Sequence, residues 1–283
     1  MLLAAKRVLS QALSVLQLAQ RPACFLRHLA LTRGRANVHG GRSQWRHEMI
    51  EAEWWDYEDE AEFVAAVAGD VAFIIESAID ARGSAVIALA GGETPKPILA
   101  KLAEAKIDWK RVMIIPTDDR LVPLDNPLSN AAMLARIFLP KGARVVPITT
   151  EKADDYKLAG SAAAARIDDL HWPLDLVWLG VGSDGHTASI FTGPDYEEAL
   201  TAPPVRKAIG VMPDPLPAEA PVARVTLTRA SIQAAKTIII VLKGKDKQKL
   251  VEQAIRDGDS SPLPIGRVLA GLDTPVDIHW AAE

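Results

Sequence analysis

Four short apolar runs constrain this chain more than any other feature. Ala85-Val-Ile-Ala-Leu89, Val112-Met-Ile-Ile115, Leu176-Val-Trp-Leu179 and Thr237-Ile-Ile-Ile-Val-Leu242 carry no alternating polar residue. A strand with one wet face alternates, whereas a run this continuous must be covered on both faces, the condition of a central strand in a parallel sheet. Each run leads into a turn rich in glycine or charge. Strands alternating with helices throughout imply a largely parallel sheet with helices on both faces. The expected architecture is a single α/β domain of Rossmann-like type.

The intervening residues supply the helices. From Glu58 to Ala81, apolar residues recur at helical spacing (Phe63, Val67, Val71, Ile74, Ile75, Ile79) until Arg82-Gly83 stops them. Thr94 is placed as an N-cap and Pro95 as the first residue of a helix through Ile98, Leu99 and Leu102. Asp125 to Asn130 caps a helix through Met133, Leu134, Ile137 and Phe138, and Ala153 to Leu170 reads as a further, alanine-rich helix. A weak strand begins at Val145-Val146, and further strands are expected at Ala208 to Val211, Arg224 to Thr228 and Val276 to Trp280. Helices are expected after Lys243–Lys247 and from Pro264 to Leu269. No internal repeat or interdomain linker interrupts this pattern.

Charge separates the chain into two parts. Met1 to His47 holds eight of the 32 Lys and Arg residues and no acid, leaving 24 basic against 36 acidic residues beyond it, a net of −12. The basic segment has the composition of a mitochondrial transit peptide. The favoured reading is an upstream extension with a working start at Met49, because the remainder forms a complete domain without it. Residues 1–48 are thus expected to be a disordered, non-core extension, and residues 49–283 the working domain of a cytoplasmic protein; organellar import is the alternative. Gln11, Ser14 and Gln17 interrupt the apolar core that a secretory signal needs. No run approaches the roughly 18 apolar residues of a membrane span. A body this acidic is poorly suited to non-specific nucleic-acid binding. Cys24, the single cysteine, lies in the basic segment, so the domain has no disulfide, cysteine-based zinc site or thiol nucleophile.

The chemistry concentrates after the third run. Gly180-Val-Gly182-Ser-Asp184-Gly185-His186 places three glycines in six residues, then a carboxylate and an imidazole, ahead of a short apolar segment read as helical. A strand end leading into a helix is where open α/β sheets bind ligands, and an imidazole there can move a proton near neutral pH. The glycines also match G-x-G-x-x-G, but the residues about twenty positions on, Pro203 to Arg206, are Pro-rich and basic where a dinucleotide fold needs an acid. Neither the twelve-residue spacing of a calcium loop nor any metal-ligand spacing is present. Two other turns suit an anion. Ala90-Gly91-Gly92-Glu93-Thr94-Pro95 offers backbone N–H groups at a helix start, although an ordinary strand-to-helix turn reads the same way. Arg120, after Asp118 and Asp119, has the planar fork that suits phosphate, or it pairs with one of those acids. Lysines at 243, 245 and 247, near a helix start, hint at a third anion contact or are simply solvated.

Taken in order, Ala90–Pro95, Thr117-Asp-Asp-Arg-Leu-Val-Pro123, Ser129-Asn130, Gly180–Ser189, Arg224-Val-Thr-Leu-Thr228 and Gly244-Lys-Asp-Lys247 resemble the motifs of 6-phosphogluconolactonases, from about Met49 to the C-terminus. The glycine–histidine motif is the most specific of them. The resemblance departs at Glu93, where the family more usually has a small hydroxyl residue, and at Asp119, where it has Glu. It implies hydrolysis of 6-phospho-D-glucono-1,5-lactone to 6-phosphogluconate in the oxidative pentose phosphate pathway, a carboxylic-ester hydrolysis needing no metal or organic cofactor. His186 would be the general base, its tautomer fixed by Asp184 or a nearby backbone carbonyl. Arg120, Arg224 and Lys247 would hold the phosphate. Gly91, Gly92, Thr94, Asp118, Asn130, Gly182 and Gly185 would complete the substrate site, with backbone N–H groups of the glycine loops as oxyanion donors. Glu93 would repel a phosphate, so its side chain should point away, or the loop's role is altered. The expected partner is a small sugar phosphate rather than nucleic acid or membrane, and the expected state a monomer or small homo-oligomer. The same scaffold includes glucosamine-6-phosphate isomerase/deaminases, but those carry an acid soon after the histidine, where this chain has Thr187-Ala-Ser-Ile-Phe191 and its nearest downstream acid is Asp195. A non-catalytic sugar-phosphate sensor would need a DNA-binding module, and residues 1–47 lack a helix-turn-helix pattern.

Overall fold

The computed structural model describes residues 50–149 and 155–282, so the extension expected at 1–48 and the start of the helix expected from Ala153 lie outside the described residues. In chain order the strands are β1 (Ala52–Tyr57), β2 (Ala85–Leu89), β3 (Val112–Pro116), β4 (Asp118–Arg120), β5 (Arg144–Val145), β6 (Leu176–Leu179), β7 (Ala208–Val211), β8 (Arg224–Leu227), β9 (Ile238–Lys243) and β10 (Val276–Ala281). The helices are α1 (Glu60–Arg82), α2 (Pro95–Leu102), α3 (Asn130–Phe138), α4 (Tyr156–Asp168), α5 (Tyr196–Thr201), α6 (Arg229–Gln233), α7 (Lys245–Asp257) and α8 (Pro264–Leu269). Seven strands form one sheet in the order β1-β10-β9-β6-β2-β3-β5, and every pairing in it is parallel.

The apolar runs are buried on both faces, as their continuity requires. In β6, Val177 and Leu179 join one core cluster while Leu176 and Trp178 join the other, and all four are fully buried. Burial of each such side chain contributes roughly 1.5–3 kcal/mol. From β2 the chain builds outward through β3 to β5, then returns to β6 on the other side of β2 and builds outward through β9 and β10. The reversal leaves a crevice beyond the carboxyl ends of β2 and β6, the position where open α/β sheets bind ligands.

Three departures from the sequence reading matter for this crevice. Asp118–Arg120, expected as the charged end of a strand, forms a strand of its own, and with β8 and β7 it makes a separate antiparallel sheet in the order β4-β8-β7. Pairing rather than propensity creates β4, since Asp is depleted in strands. Thr117 joins the two sheets: its N–H donates to Leu89 O at 3.1 Å and its carbonyl accepts from Leu227 N at 2.9 Å. The segment after His186 is not helical; Thr187 instead bridges to Val181 and Ile190, closing a tight loop. Finally, Thr94 does not cap α2. Its backbone is itself helical, and its side chain makes no cap bond, whereas a capping residue needs an extended backbone to aim its oxygen at the helix N–H groups.

Candidate active site

The loop leaving β6 folds onto itself. Gly182 N–H donates to His186 O at 2.9 Å, Gly185 N–H to Gly182 O at 3.1 Å, and Thr187 Oγ1 to Gly180 O at 2.8 Å. Gly185 O accepts from Ile265 N at 2.9 Å, which fixes the loop to α8. Within this frame Asp184 Oδ1 lies 2.5 Å from His186 Nδ1 and accepts the His186 N–H at 3.2 Å. Asp184, rather than a backbone carbonyl, therefore meets the imidazole. With Nδ1 donating to the carboxylate, Nε2 is the basic nitrogen. Burial pushes the Asp184 carboxyl up, but the hydrogen bond and charge of His186 outweigh it and hold the group below the ordinary carboxylate range. Gly182 is what lets the pair form. A Cβ there would lie 2.2 Å from His186 Nδ1 and Cε1 and 2.6 Å from Asp184 Oδ1.

A basic site is built on the small sheet. Arg120 and Arg224 are register partners across the antiparallel β4–β8 ladder. Arg120 Nη1 donates to Leu128 O and to Asn130 Oδ1, each at 3.0 Å, and Arg224 Nη2 makes a 3.4 Å bond to Ala220 O. The Nε of each is buried with no acceptor among the described residues. Burial pushes the Arg224 guanidinium below its ordinary value, the Asp118 charge pulls it back, and Arg120 pushes it down again. The sequence alternative, an ion pair of Arg120 with Asp118 or Asp119, is not what the described residues adopt. Asp119 instead accepts from the backbone N–H groups of Arg120, Asn130 and Ala131 and the hydroxyls of Ser129 and Thr149, which holds the start of α3. Asp118 accepts from Ser189 Oγ at 2.5 Å, tying the small sheet to the histidine loop.

The remaining expected residues divide. Asn130 joins the basic site to the double-glycine turn: its side chain also donates to Asp118 O at 2.8 Å, and it packs so closely on Gly91 that a Cβ there would fall 1.9 Å from Asn130 Oδ1. The amides of Gly91 and Gly92 donate to no backbone or side-chain acceptor among the described residues. Those of Gly182 and Gly185, expected as oxyanion donors, are instead engaged within their own loop. Glu93 points away, as its charge demands: its side chain is 87% exposed and paired with Lys96. Lys247 sits in the first turn of α7, beyond the carboxyl end of β9 beside β6. Phe191 was not anticipated. Its ring stacks on His186 with centroids 4.1 Å apart, and Arg224 Cζ lies 5.1 Å from the same ring.

Fold and site together define a Rossmann-like α/β protein with a histidine–carboxylate pair and an adjoining pair of arginines at the crevice of its sheet. Comparison with known proteins narrows this. Residues 58–280 match the family described as glucosamine-6-phosphate isomerases/6-phosphogluconolactonase. The chain is 38% identical over 234 residues to a 6-phosphogluconolactonase of Mesorhizobium japonicum (81% of this chain, 94% of that protein) and 34% identical over 228 residues to one of Rhizobium meliloti (80% and 97%). The crystal structure of a 6-phosphogluconolactonase from Shewanella baltica superposes with a TM-score of 0.75 at 30% identity, covering 83% of this chain and 100% of that one. The chain belongs to the glucosamine-6-phosphate isomerase/6-phosphogluconolactonase family. Among the described residues, no helix is long and apolar enough to cross a membrane.

Proposed function

We propose that this protein is a 6-phosphogluconolactonase, hydrolysing 6-phospho-D-glucono-1,5-lactone to 6-phosphogluconate, with residues 49–283 as the catalytic domain. The observation that carries the reading is the meeting, through Phe191, of a carboxylate-oriented imidazole with an arginine whose Nε has no acceptor among the described residues. In this reading Arg120 and Arg224 hold the phosphate, and Lys247 adds charge from the neighbouring strand end. Phosphate binding positions the lactone carbonyl near His186, so that orientation does much of the work. His186 Nε2 takes a proton from water as the water oxygen bonds to C1. The amides of Gly91 and Gly92 are the donors left for the developing oxyanion. As the C1–ring oxygen bond breaks, Nε2–H returns its proton to the ring oxygen, and the product acid ionises. Asp184 stays ionised and stabilises the transient imidazolium. A small-molecule sugar phosphate as partner, a cytoplasmic setting and a monomeric or small homo-oligomeric state go with this reading.

The deaminase alternative needs an acid close behind the histidine. Asp195 is already engaged, accepting from Met212 N at 2.7 Å and pairing with Lys157. Freshly prepared 6-phosphogluconolactone, followed by acid release above its spontaneous background, decides between the two. The lactonase reading predicts strong acceleration; ammonia release from glucosamine 6-phosphate with no acceleration would overturn it.

A further inference from the structure

We propose that Phe191 is a positioning residue that ties the orientation of His186 to occupation of the arginine pair, an inference that rests on the lactonase reading of the site. The imidazole and the phenyl ring are stacked, with centroids 4.1 Å apart and planes 28° from parallel. The Arg224 guanidinium lies over that same ring at 5.1 Å, the geometry of a cation–π contact. One ring therefore touches both the proposed base and a proposed anion ligand. The chain leading into it is anchored to the small sheet. Two residues upstream, Ser189 N–H donates to Thr226 Oγ1 at 3.1 Å and Ser189 Oγ to Asp118, while Ile190 is fully buried. Asp118 and Thr226 belong to β4 and β8, the strands that also carry the two arginines. Phe191 itself is only partly buried, so it is a wall of the site more than a part of the core.

The consequence is mechanical. Asp184 fixes one edge of the imidazole through Nδ1, but a single hydrogen bond leaves the ring free to tilt about it. The stacked phenyl removes that freedom. An anion drawing on Arg224 acts on the ring from its other contact, so a bound phosphate settles Arg224, Phe191 and His186 together. The charge of Asp184 is also felt at Arg224, which places the two ends of the site within electrostatic reach. A substrate lacking the phosphate would meet a less ordered base.

The test is a pair of variants with two readouts. Phe191→Leu keeps an apolar side chain and removes the stack; kcat is expected to fall about tenfold or more while KM stays within about threefold. Phe191→Tyr keeps the ring and is expected to retain kcat within about threefold of wild type. In parallel, the His186 imidazole resonance, assigned by its loss in His186→Ala, is expected to move on addition of inorganic phosphate to wild type and to Phe191→Tyr, and not to Phe191→Leu. Near-native kcat in Phe191→Leu, a tyrosine variant as slow as the leucine one, or an equal phosphate response in all three would overturn the proposal. Absence of lactone turnover by wild type would instead overturn the lactonase reading, and the resonance experiment would still decide the coupling. Should Phe191→Leu fail to fold by circular dichroism, Phe191→Met replaces it with the same expectations.

Discussion

Arg120 and Arg224 stand directly opposite one another across two antiparallel strands, each with a buried Nε that no described residue accepts. Like charges at opposed positions of a ladder repel, and no described carboxylate forms an ion pair with either guanidinium, although the charge of Asp118 acts on Arg224. Local rules broken in this way without compensation mark functional sites. The two carboxylates that precede Arg120 in β4 make hydrogen bonds elsewhere: Asp119 holds the start of α3, and Asp118 holds Ser189. In the proposed reading, the pair takes an anion from outside.

Replacing Arg224 by Met should therefore separate stability from function. KM is expected to rise about tenfold to a hundredfold, the value of a charge-assisted hydrogen bond or two, while the melting temperature holds or increases. Inorganic phosphate should raise the melting temperature of wild type through preferential binding to the folded state and do so far less in the variant. A variant that melts lower and binds normally would make Arg224 a structural residue.

Gly182→Ala is the cleanest probe of the histidine loop. One added methyl would stand 2.2 Å from the imidazole, so His186 and Asp184 could not keep their contact. A loss of about a hundredfold or more in kcat is expected, with the larger effect on kcat than on melting temperature because the clash falls on the half-buried His186 and exposed Asp184 side chains. Full activity in this variant would mean that the His186–Asp184 contact is dispensable.

Asp184→Asn should lower kcat, again by about a hundredfold, and leave KM nearly unchanged. Its pH behaviour follows from the depressed carboxyl of the folded protein. A depressed carboxyl contributes stability that is present above its unfolded value and lost only as pH falls through the lower folded value, so Asp184 stays ionised through the ordinary carboxylate range. Any fall in activity on mild acidification therefore belongs to another group. An unchanged kcat in Asp184→Asn would mean that the carboxylate does not orient the imidazole.

Asp119→Asn tests the scaffold rather than the chemistry. Three backbone N–H groups and two hydroxyls converge on this buried carboxylate, and an amide offers one oxygen where two are used. Burial raises the Asp119 pKa while the backbone donors oppose the shift, so the ionised form carries a cost at neutral pH. That cost is relieved as pH falls through the raised value. Even so, unsatisfied donors at a helix start should dominate, at about 2–4 kcal/mol and a melting-temperature loss of roughly 5–15 °C. An unchanged melting temperature would mean that the start of α3 is held by other groups.

The central sheet was legible because burial on both faces leaves an unmistakable apolar run, and β2, β3, β6 and β9 lie on the four runs. The edge strand β1 was not. Its Ala-Glu-Trp-Trp-Asp-Tyr neither alternates nor runs apolar, and it becomes a strand by pairing with β10, Trp54 opposite Ile278. The same holds for β4, whose Asp-Asp-Arg has no strand tendency of its own. In the site, Asp184 and His186 could be paired from sequence because they lie two residues apart in one loop. Arg120 and Arg224 are 104 positions apart and meet only through the β4–β8 register, which no local pattern encodes; family resemblance placed them together. Phe191 carried no local signal, since an aromatic residue after an apolar stretch reads as core.

The most direct measurement is acid release from freshly made 6-phosphogluconolactone by wild type and by His186→Ala, alongside binding of 6-phosphogluconate to both. Acceleration by wild type, abolished in the variant while product binding stays within about threefold, is the predicted result. Near-native kcat in His186→Ala, or no acceleration by the wild-type protein, would contradict it.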